Sequence, residues 1–359
     1  MKEITIEELY QINNPVIIDI RSPIEFKDGA IPGAINIPLF TDEEREEVGT
    51  IYKLEGQDQA KWRAMELVSP KIPTLLKSIK EVSPGKSGQL IIHCWRGGSR
   101  SKAVVTFLDF AGVRSKRLIG GYKAFRQYIL NEIPSKLPDR AVVLHGLTGV
   151  GKTKILQLLQ KKEYPVLDLE EMAGHRGSIF GTIGLDGGNN QKIFDSLLFD
   201  GLKKIQDVSY FLMEAESKRI GKATQPEALM TKKLHGIHIY LHMPMEQRIA
   251  HLVHEYVDPF KHLPWYYDEI QESLEKVLRR VKDVDMKRML LGHLENRNFP
   301  ELIKLLLENY YDPKYDHKRQ VYEGDFLDIY AESHDEAVEK IIHYLETLSL
   351  KPQVVKAEF

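Results

Sequence analysis

Short apolar runs and longer amphipathic stretches alternate along the first 130 residues. "VIIDI" at 16 to 20 and "QLIIHC" at 89 to 94 are compact apolar runs that read as buried strands. Between them, "DGAIPGAINIP" (28 to 38) is a Gly/Pro-punctuated loop with a short extended piece, a charged stretch over 41 to 68 reads as helical, and "IPTLLKSIKEV" predicts a helix. "RSKAVVTFLDFAG" (100 to 112) has helical apolar spacing and a closing glycine. "RLIGGYKAFRQYI" gives a short strand, a Gly-Gly turn and another helix. Such alternation predicts a parallel sheet covered by helices.

A polar stretch with two prolines, "NEIPSKLPDR" (131 to 140), predicts a linker, after which the pattern restarts with "AVVLHGLTGVGKTKILQLLQ". Further strand candidates are "YPVLDLE" (164 to 170), "VSYFLMEAE" (208 to 216) and "GIHIYLHM" (236 to 243). The expected organisation is therefore a first α/β domain over 1–130, a linker over 131–140, a second α/β domain over 141–245 and a mainly helical region over 246–359. The helical region is expected to pack on the second domain. The fold class is α/β, two parallel-sheet three-layer domains followed by helices.

Composition narrows the function classes. With 359 residues, 42% of them hydrophobic and 28% charged, the chain has material for two ordinary cores. A net charge of −2 excludes a polycation held to nucleic acid by charge alone, while leaving room for a local basic face. One cysteine excludes an internal disulfide and any multi-cysteine metal site. "MKEITIEELY" lacks a signal-peptide core, and no apolar run approaches the ~18 residues of a membrane span. A cytoplasmic protein is expected.

That lone cysteine, Cys94, stands in "IIHCWRGGSR", where a strand gives way to a loop and then a helix. Gly97 and Gly98 permit a tight curl of backbone N–H groups toward the sulfur. With Ser99 at the helix start and Arg96 and Arg100 nearby, these donors favour a thiolate, and so a nucleophile or a chalcogen carrier. A buried structural thiol is the competing reading. His93 points to the opposite strand face and reads as packing.

"GLTGVGKT" (146 to 153) satisfies the phosphate-binding pattern G-x-x-x-x-G-K-[ST], with a strand before it and a helix after it. Gly146, Thr148, Gly149 and Gly151 shape an anion nest. Lys152 reaches terminal phosphates, and Thr153 offers a hydroxyl to Mg²⁺ if one is bound. Glu214 and Glu216 lie where such folds place a metal-organising acid. "LDLEEMAGHRGSIFGTIG" (167 to 184) puts Asp168, Glu170, His175, Arg176 and Ser178 within reach of a ligand at the strand ends.

"VIIDIRSPIEFKDGAIPGAINIP", "CWRGGSR" and "LIGGYKAFR" resemble the rhodanese signatures, in order, over about residues 1 to 130. That resemblance implies that Cys94 carries a chalcogen and that Asp19 and Arg21 structure the domain. The extra helical stretch at 41 to 68 departs from a plain rhodanese. Across the whole chain, "HCWRGGSRS", "GLTGVGKT", "LDLEEMAGHRGSIFG" and "MEAESKRIG" resemble the tRNA 2-selenouridine synthase family, a rhodanese domain fused to a P-loop domain. Membership would imply geranylation of the sulfur of wobble 2-thiouridine (U34) from geranyl diphosphate, then replacement of the geranylthio group by selenium from selenophosphate. Selenium would attack directly or after loading on Cys94. The substrates would be selenophosphate and geranyl diphosphate, with no tightly bound cofactor and no resident metal ligand set.

The implied partner is a tRNA bearing 2-thiouridine, with a selenophosphate synthase as a candidate selenium supplier; oligomeric state is left open. Trp95 could stack on an unstacked base. Weak candidates for an RNA surface are Lys218, Arg219, Lys222, Lys232 and Lys233, with Lys203, Lys204, Lys314, Lys318 and Arg319 as further basic positions. Three other readings remain: a sulfurtransferase with a regulatory nucleotide-binding domain, a non-enzymatic nucleotide-gated RNA-binding module, and a small-molecule kinase.

Overall fold

The structure is a computed structural model, described here for residues 2–83, 88–205, 207–314 and 322–352. Two compact units divide the chain, Met1–Ile133 with Asp195–Phe199, and Pro134–Phe194 with Asp200–Phe359.

In the first unit, strands β1 (Lys2–Ile4), β2 (Val16–Asp19), β3 (Ile35–Asn36), β4 (Leu90–His93) and β5 (Lys116–Leu118) form one sheet in the order β1-β5-β4-β2-β3. Every pairing is parallel, and β2 and β4 align Asp19 with His93. Central strands of a parallel sheet are covered on both faces, and accordingly Ile18, Ile91 and Ile92 are fully buried. The charged stretch becomes two helices, Asp42–Leu54 and Gln57–Val68, leaving Tyr52, Leu54, Trp62 and Met65 exposed.

The second unit carries β6 (Arg140–Gly146), β7 (Tyr210–Glu214), a short hairpin of β8 (Arg219–Ile220) and β9 (Ala223–Thr224), β10 (Ile237–His242) and β11 (Phe326–Tyr330). Its main sheet is parallel, in the order β11-β10-β6-β7. The α/β class with two parallel-sheet domains is borne out.

Three details differ from the sequence pattern. Residues 131–136 belong to the helix Gly121–Lys136 rather than to a linker; Pro134 sits in its last turn, where a missing N–H costs one hydrogen bond at most. The strand expected over 164–170 shrinks to a single bridge, Val166 to Leu212, because the Asp168 side chain accepts from Glu171 N (2.9 Å) and starts the helix Leu169–Ala173. The region after 246 is helical, yet it also supplies edge strand β11 and the helix His334–Thr347. Ile329, Val338, Ile341 and Leu345 share a core with Val142, Leu144, Ile155 and Leu159 of the strand and helix around the glycine-rich loop. Among the described residues, no helix is long and apolar enough to cross a membrane.

Candidate functional site

Both sequence-predicted loops leave the carboxyl ends of parallel strands, the edge at which open sheets hold ligands. At the end of β4, Cys94 is buried (3% exposed) and its Sγ lies 3.4 Å from Ser101 Oγ, in the first turn of the helix Ser99–Phe110. The loop is pinned from across the sheet. Tyr122 N donates to Cys94 O (3.0 Å) and Lys123 N to Trp95 O (2.9 Å). Gly97 (φ +59°) and Gly121 (φ +55°) meet so closely that a Cβ on either would clash with backbone, at 2.4 Å from Leu118 O and 2.1 Å from Cys94 O. Only glycine supports that approach.

Around this loop the charges are already committed. Arg100 donates to Glu25 through both terminal nitrogens (2.7 and 3.3 Å). Burial alone would raise the Glu25 carboxyl, but the hydrogen bond and charge of Arg100, helped by Arg45, hold it below its ordinary value. Arg96 and Ser99 are exposed and Gly98 caps the helix. Trp95 is half-buried with its ring 5.6 Å from that of Tyr122, and Arg21 lies over Tyr122 (4.0 Å) and Trp95 (5.9 Å). Arg21 is itself held by buried Asp19 (2.6 Å). Burial pushes His93 down, toward its neutral form, as suits a packing residue.

In the second unit, Thr148, Gly149, Gly151, Lys152 and Thr153 line one end of a cavity of about 310 Å³. Lys152 Nζ lies 3.4 Å from Gly146 O, which keeps it folded over the loop. The loop is braced from beneath by buried Arg248, which donates to Thr148 O (2.8 Å) and makes a two-pronged pair with Asp312 (2.6 and 2.9 Å). Thr153 Oγ1 donates within reach of both Glu214 Oε1 (2.6 Å) and Glu170 Oε2 (3.0 Å).

Glu170, Glu214 and Glu216 bring carboxylate oxygens within 4.8 Å of one another. Burial pushes Glu214 up to about 8, against the pull of Lys152; burial and then the neighbouring Glu214 and Glu216 push Glu170 well up. Gly177 (φ +62°) lets the "HRGS" turn lie on this cluster, since a Cβ there would sit 2.6 Å from Glu216 Oε2. A threonine hydroxyl beside clustered carboxylates is a hard-oxygen donor set that fits a divalent cation, and a cation would offset the cost of ionising these buried acids.

Arg176 and Ser178 also line the cavity, with Arg176 paired to Glu255 (2.9 Å). Two expected ligand residues do not reach it. Asp168 is spent as a helix cap, and His175 packs under Gly221 while its Nδ1 accepts from Gly177 N (3.1 Å). Lys233 is a correction among the basic positions: it is buried (2% exposed) and donates to Glu216 O, so it supports the acid cluster instead of facing RNA. Lys218 pairs with Glu227 (2.8 Å), Lys232 donates to Asp139 O (2.9 Å), Arg219 donates to Gly221 O (3.0 Å), and Lys222 is exposed. Lys318 and Arg319 lie outside the described residues.

The rest of the cavity escaped sequence reasoning. Its other walls are largely apolar, with Ile179 and Phe180 from the "GSIFG" segment, Tyr266 and Ile270 from the helix Tyr266–Leu278, and Phe299 and Leu302 from the helix Phe299–Leu306, while Arg280, Tyr310, Tyr311 and Lys314 add polar groups to the lining. A phosphate nest, an acid cluster and a hydrocarbon-lined pocket thus form one continuous space.

These features define a rhodanese-like domain and a P-loop domain in one chain. A family model described as rhodanese-like domain matches residues 5–128, and one described as tRNA 2-selenouridine synthase AAA domain matches residues 139–348. The chain is 33% identical over 350 residues to the tRNA 2-selenouridine synthase of Shewanella denitrificans, covering 88% of this chain and 93% of that one. The namesake from Bdellovibrio bacteriovorus is 34% identical over 294 residues, 79% and 73% of the two chains. That from Psychromonas ingrahamii is 32% identical over 334 residues, 86% and 89%. The chain belongs to the tRNA 2-selenouridine synthase family.

Proposed function

We propose that this chain modifies tRNA in two steps, alkylating the sulfur of wobble 2-thiouridine with geranyl diphosphate and then exchanging the geranylthio group for selenium from selenophosphate. The observation that carries the reading is the continuity of the second-unit cavity. A nucleotide site needs polar contacts to a base and ribose beyond the phosphates. Here the lining beyond Lys152 and Thr153 is mostly apolar, with Phe180, Ile270, Phe299 and Leu302 among it beside the polar Arg280, Tyr310, Tyr311 and Lys314, and the apolar majority suits a diphosphate on a hydrocarbon tail.

In the alkylation, the C2 sulfur attacks the allylic carbon, the carbon–oxygen bond breaks with its electron pair on diphosphate, and the base loses its N3 proton. Lys152 and the loop N–H groups stabilise the departing diphosphate. Thr153, Glu170, Glu214 and Glu216 would hold a divalent cation, which supplies further charge neutralisation at the diphosphate. Alkylation turns a poor leaving group into one that departs as a thiol. In the exchange, the selenium of selenophosphate attacks C2, the C2–Se bond forms and the C2–S bond breaks, releasing geranylthiol; water then cleaves the P–Se bond and carries the phosphoryl group away as phosphate. Selenophosphate carries selenium at the selenide level, so this exchange needs no oxidant. The Cys94 loop, with its buried thiol and helix N-terminus, serves the selenium step.

Mass spectrometry of the wobble nucleoside tests this directly. Incubation of 2-thiouridine tRNA with geranyl diphosphate should yield the S-geranyl nucleoside, and addition of selenophosphate should convert it to 2-selenouridine. An unaltered nucleoside from folded protein under both conditions would sink the reading, and phosphoryl transfer from ATP or sulfur transfer from thiosulfate would replace it.

A further inference from the structure

Behind the cavity's apolar end the packing closes. Tyr266 and Phe299 present rings 5.7 Å apart, both with little exposure (2% and 9%). Leu274, Leu290 and Leu294 belong to the same apolar cluster as this pair but do not reach the cavity. All three are buried, so the cluster to which the rings belong continues into packed interior away from the cavity. At the other end, the glycine-rich loop rests on the helix Met245–Tyr256, where a Cβ on Gly149 would lie 2.9 Å from Leu252 Cδ1. That helix packs in turn on Phe299–Leu306. The phosphate nest and the ring pair thus come from different segments and line one cavity, together with Leu252, Leu302 and Leu306.

We infer that Tyr266 and Phe299 form the floor of the hydrocarbon pocket and set the length of alkyl chain the site accepts. This rests on the alkyl-diphosphate reading above. The physical basis is that a close-packed interior cannot yield extra length without moving side chains. A diphosphate fixed on Lys152 and the loop therefore measures its own tail against the two rings. Among the described residues the Tyr266 hydroxyl has no hydrogen-bond partner, so packing alone holds this ring and a smaller apolar side chain can replace it without orphaning another polar group.

The test is competition among five-, ten- and fifteen-carbon allylic diphosphates in transfer to 2-thiouridine tRNA, using wild type, Phe299→Leu and Tyr266→Leu. Each variant trims a floor side chain and deepens the pocket, so the ratio of kcat/KM for the fifteen-carbon over the ten-carbon donor should rise about tenfold or more. Thermal unfolding of both variants establishes that they are folded, and either folded variant suffices. Transfer by wild type with unchanged ratios in the folded variants would overturn the floor assignment alone. Absence of transfer from any donor to any folded form would overturn the alkyl-diphosphate reading itself.

Discussion

The two ligand loops solve opposite problems. Around Cys94 the thiol is buried, Arg100 is spent on Glu25, and backbone from the 118–121 turn closes on the loop to leave little room. A site so committed suits a small, atom-sized cargo. Around Lys152 the loop opens onto a cavity of about 310 Å³ with an acidic corner and a hydrocarbon wall. That site suits a long amphiphile with a charged head. The proposed chemistry, which first attaches a hydrocarbon chain and then substitutes one chalcogen for another, would use one site of each kind.

The contrast can be broken most severely at the two reacting loops. Lys152→Ala should lower alkylation at least about 100-fold, the magnitude seen on losing a charge-stabilising donor, measured as geranylated nucleoside per unit time. Cys94→Ser should abolish selenium incorporation while leaving alkylation within about threefold of wild type, since the proposed alkylation does not use the thiol. Loss of alkylation as well as selenium incorporation in Cys94→Ser would merge the two sites into one function, whereas Lys152→Ala should lose both products from 2-thiouridine tRNA because the exchange starts from the alkylated nucleoside.

A structural prediction is smaller. Arg248→Ala leaves Asp312 without its partner and removes the donor to Thr148 O; breaking such a pair costs about 3 kcal/mol, with Asp312 part-exposed and so at the low end of the range. Denaturant unfolding measures it, and a change under ~0.5 kcal/mol would deny the brace its role.

The smallest effect concerns pH. Glu214 is raised from 4.5 to about 8 by burial, so its ionised form is penalised in the folded protein. That penalty is absent below the unfolded value, grows as pH rises through the interval, and is complete above the folded value. Glu214→Gln removes it. In chelator, the variant should unfold at a higher temperature than wild type at pH 8 and show no advantage at pH 4.5. An advantage greatest at low pH would contradict the assignment.

Legibility in the sequence followed contiguity. Gly146 to Thr153 work as one octet, and the Cys94 loop as one heptad, so local pattern sufficed to find them. Glu214 was visible because it ends strand β7, and Glu170 because it follows an apolar run, although that run gives way to the helix Leu169–Ala173. The hydrocarbon wall was not, because Phe180, Ile270 and Phe299 come from three separate segments: Phe180 lies in a turn-rich loop, and the helices of Ile270 and Phe299 have the apolar period of ordinary core. Lys232 and Lys233 read alike as a basic pair, yet neighbouring positions on a helix point about 100° apart, and only Lys233 turns inward to Glu216. Strand β11 was missed since only Ile329 of its five residues is buried, as befits an edge.

The central claim is the division of labour, and a bypass tests it most directly. Lys152→Ala and Cys94→Ser would each be given selenophosphate and tRNA already carrying S-geranyl-2-thiouridine, with 2-selenouridine followed by mass spectrometry. The account predicts that Lys152→Ala converts this tRNA at close to the wild-type rate while Cys94→Ser does not. Conversion by Cys94→Ser together with failure of Lys152→Ala would contradict it.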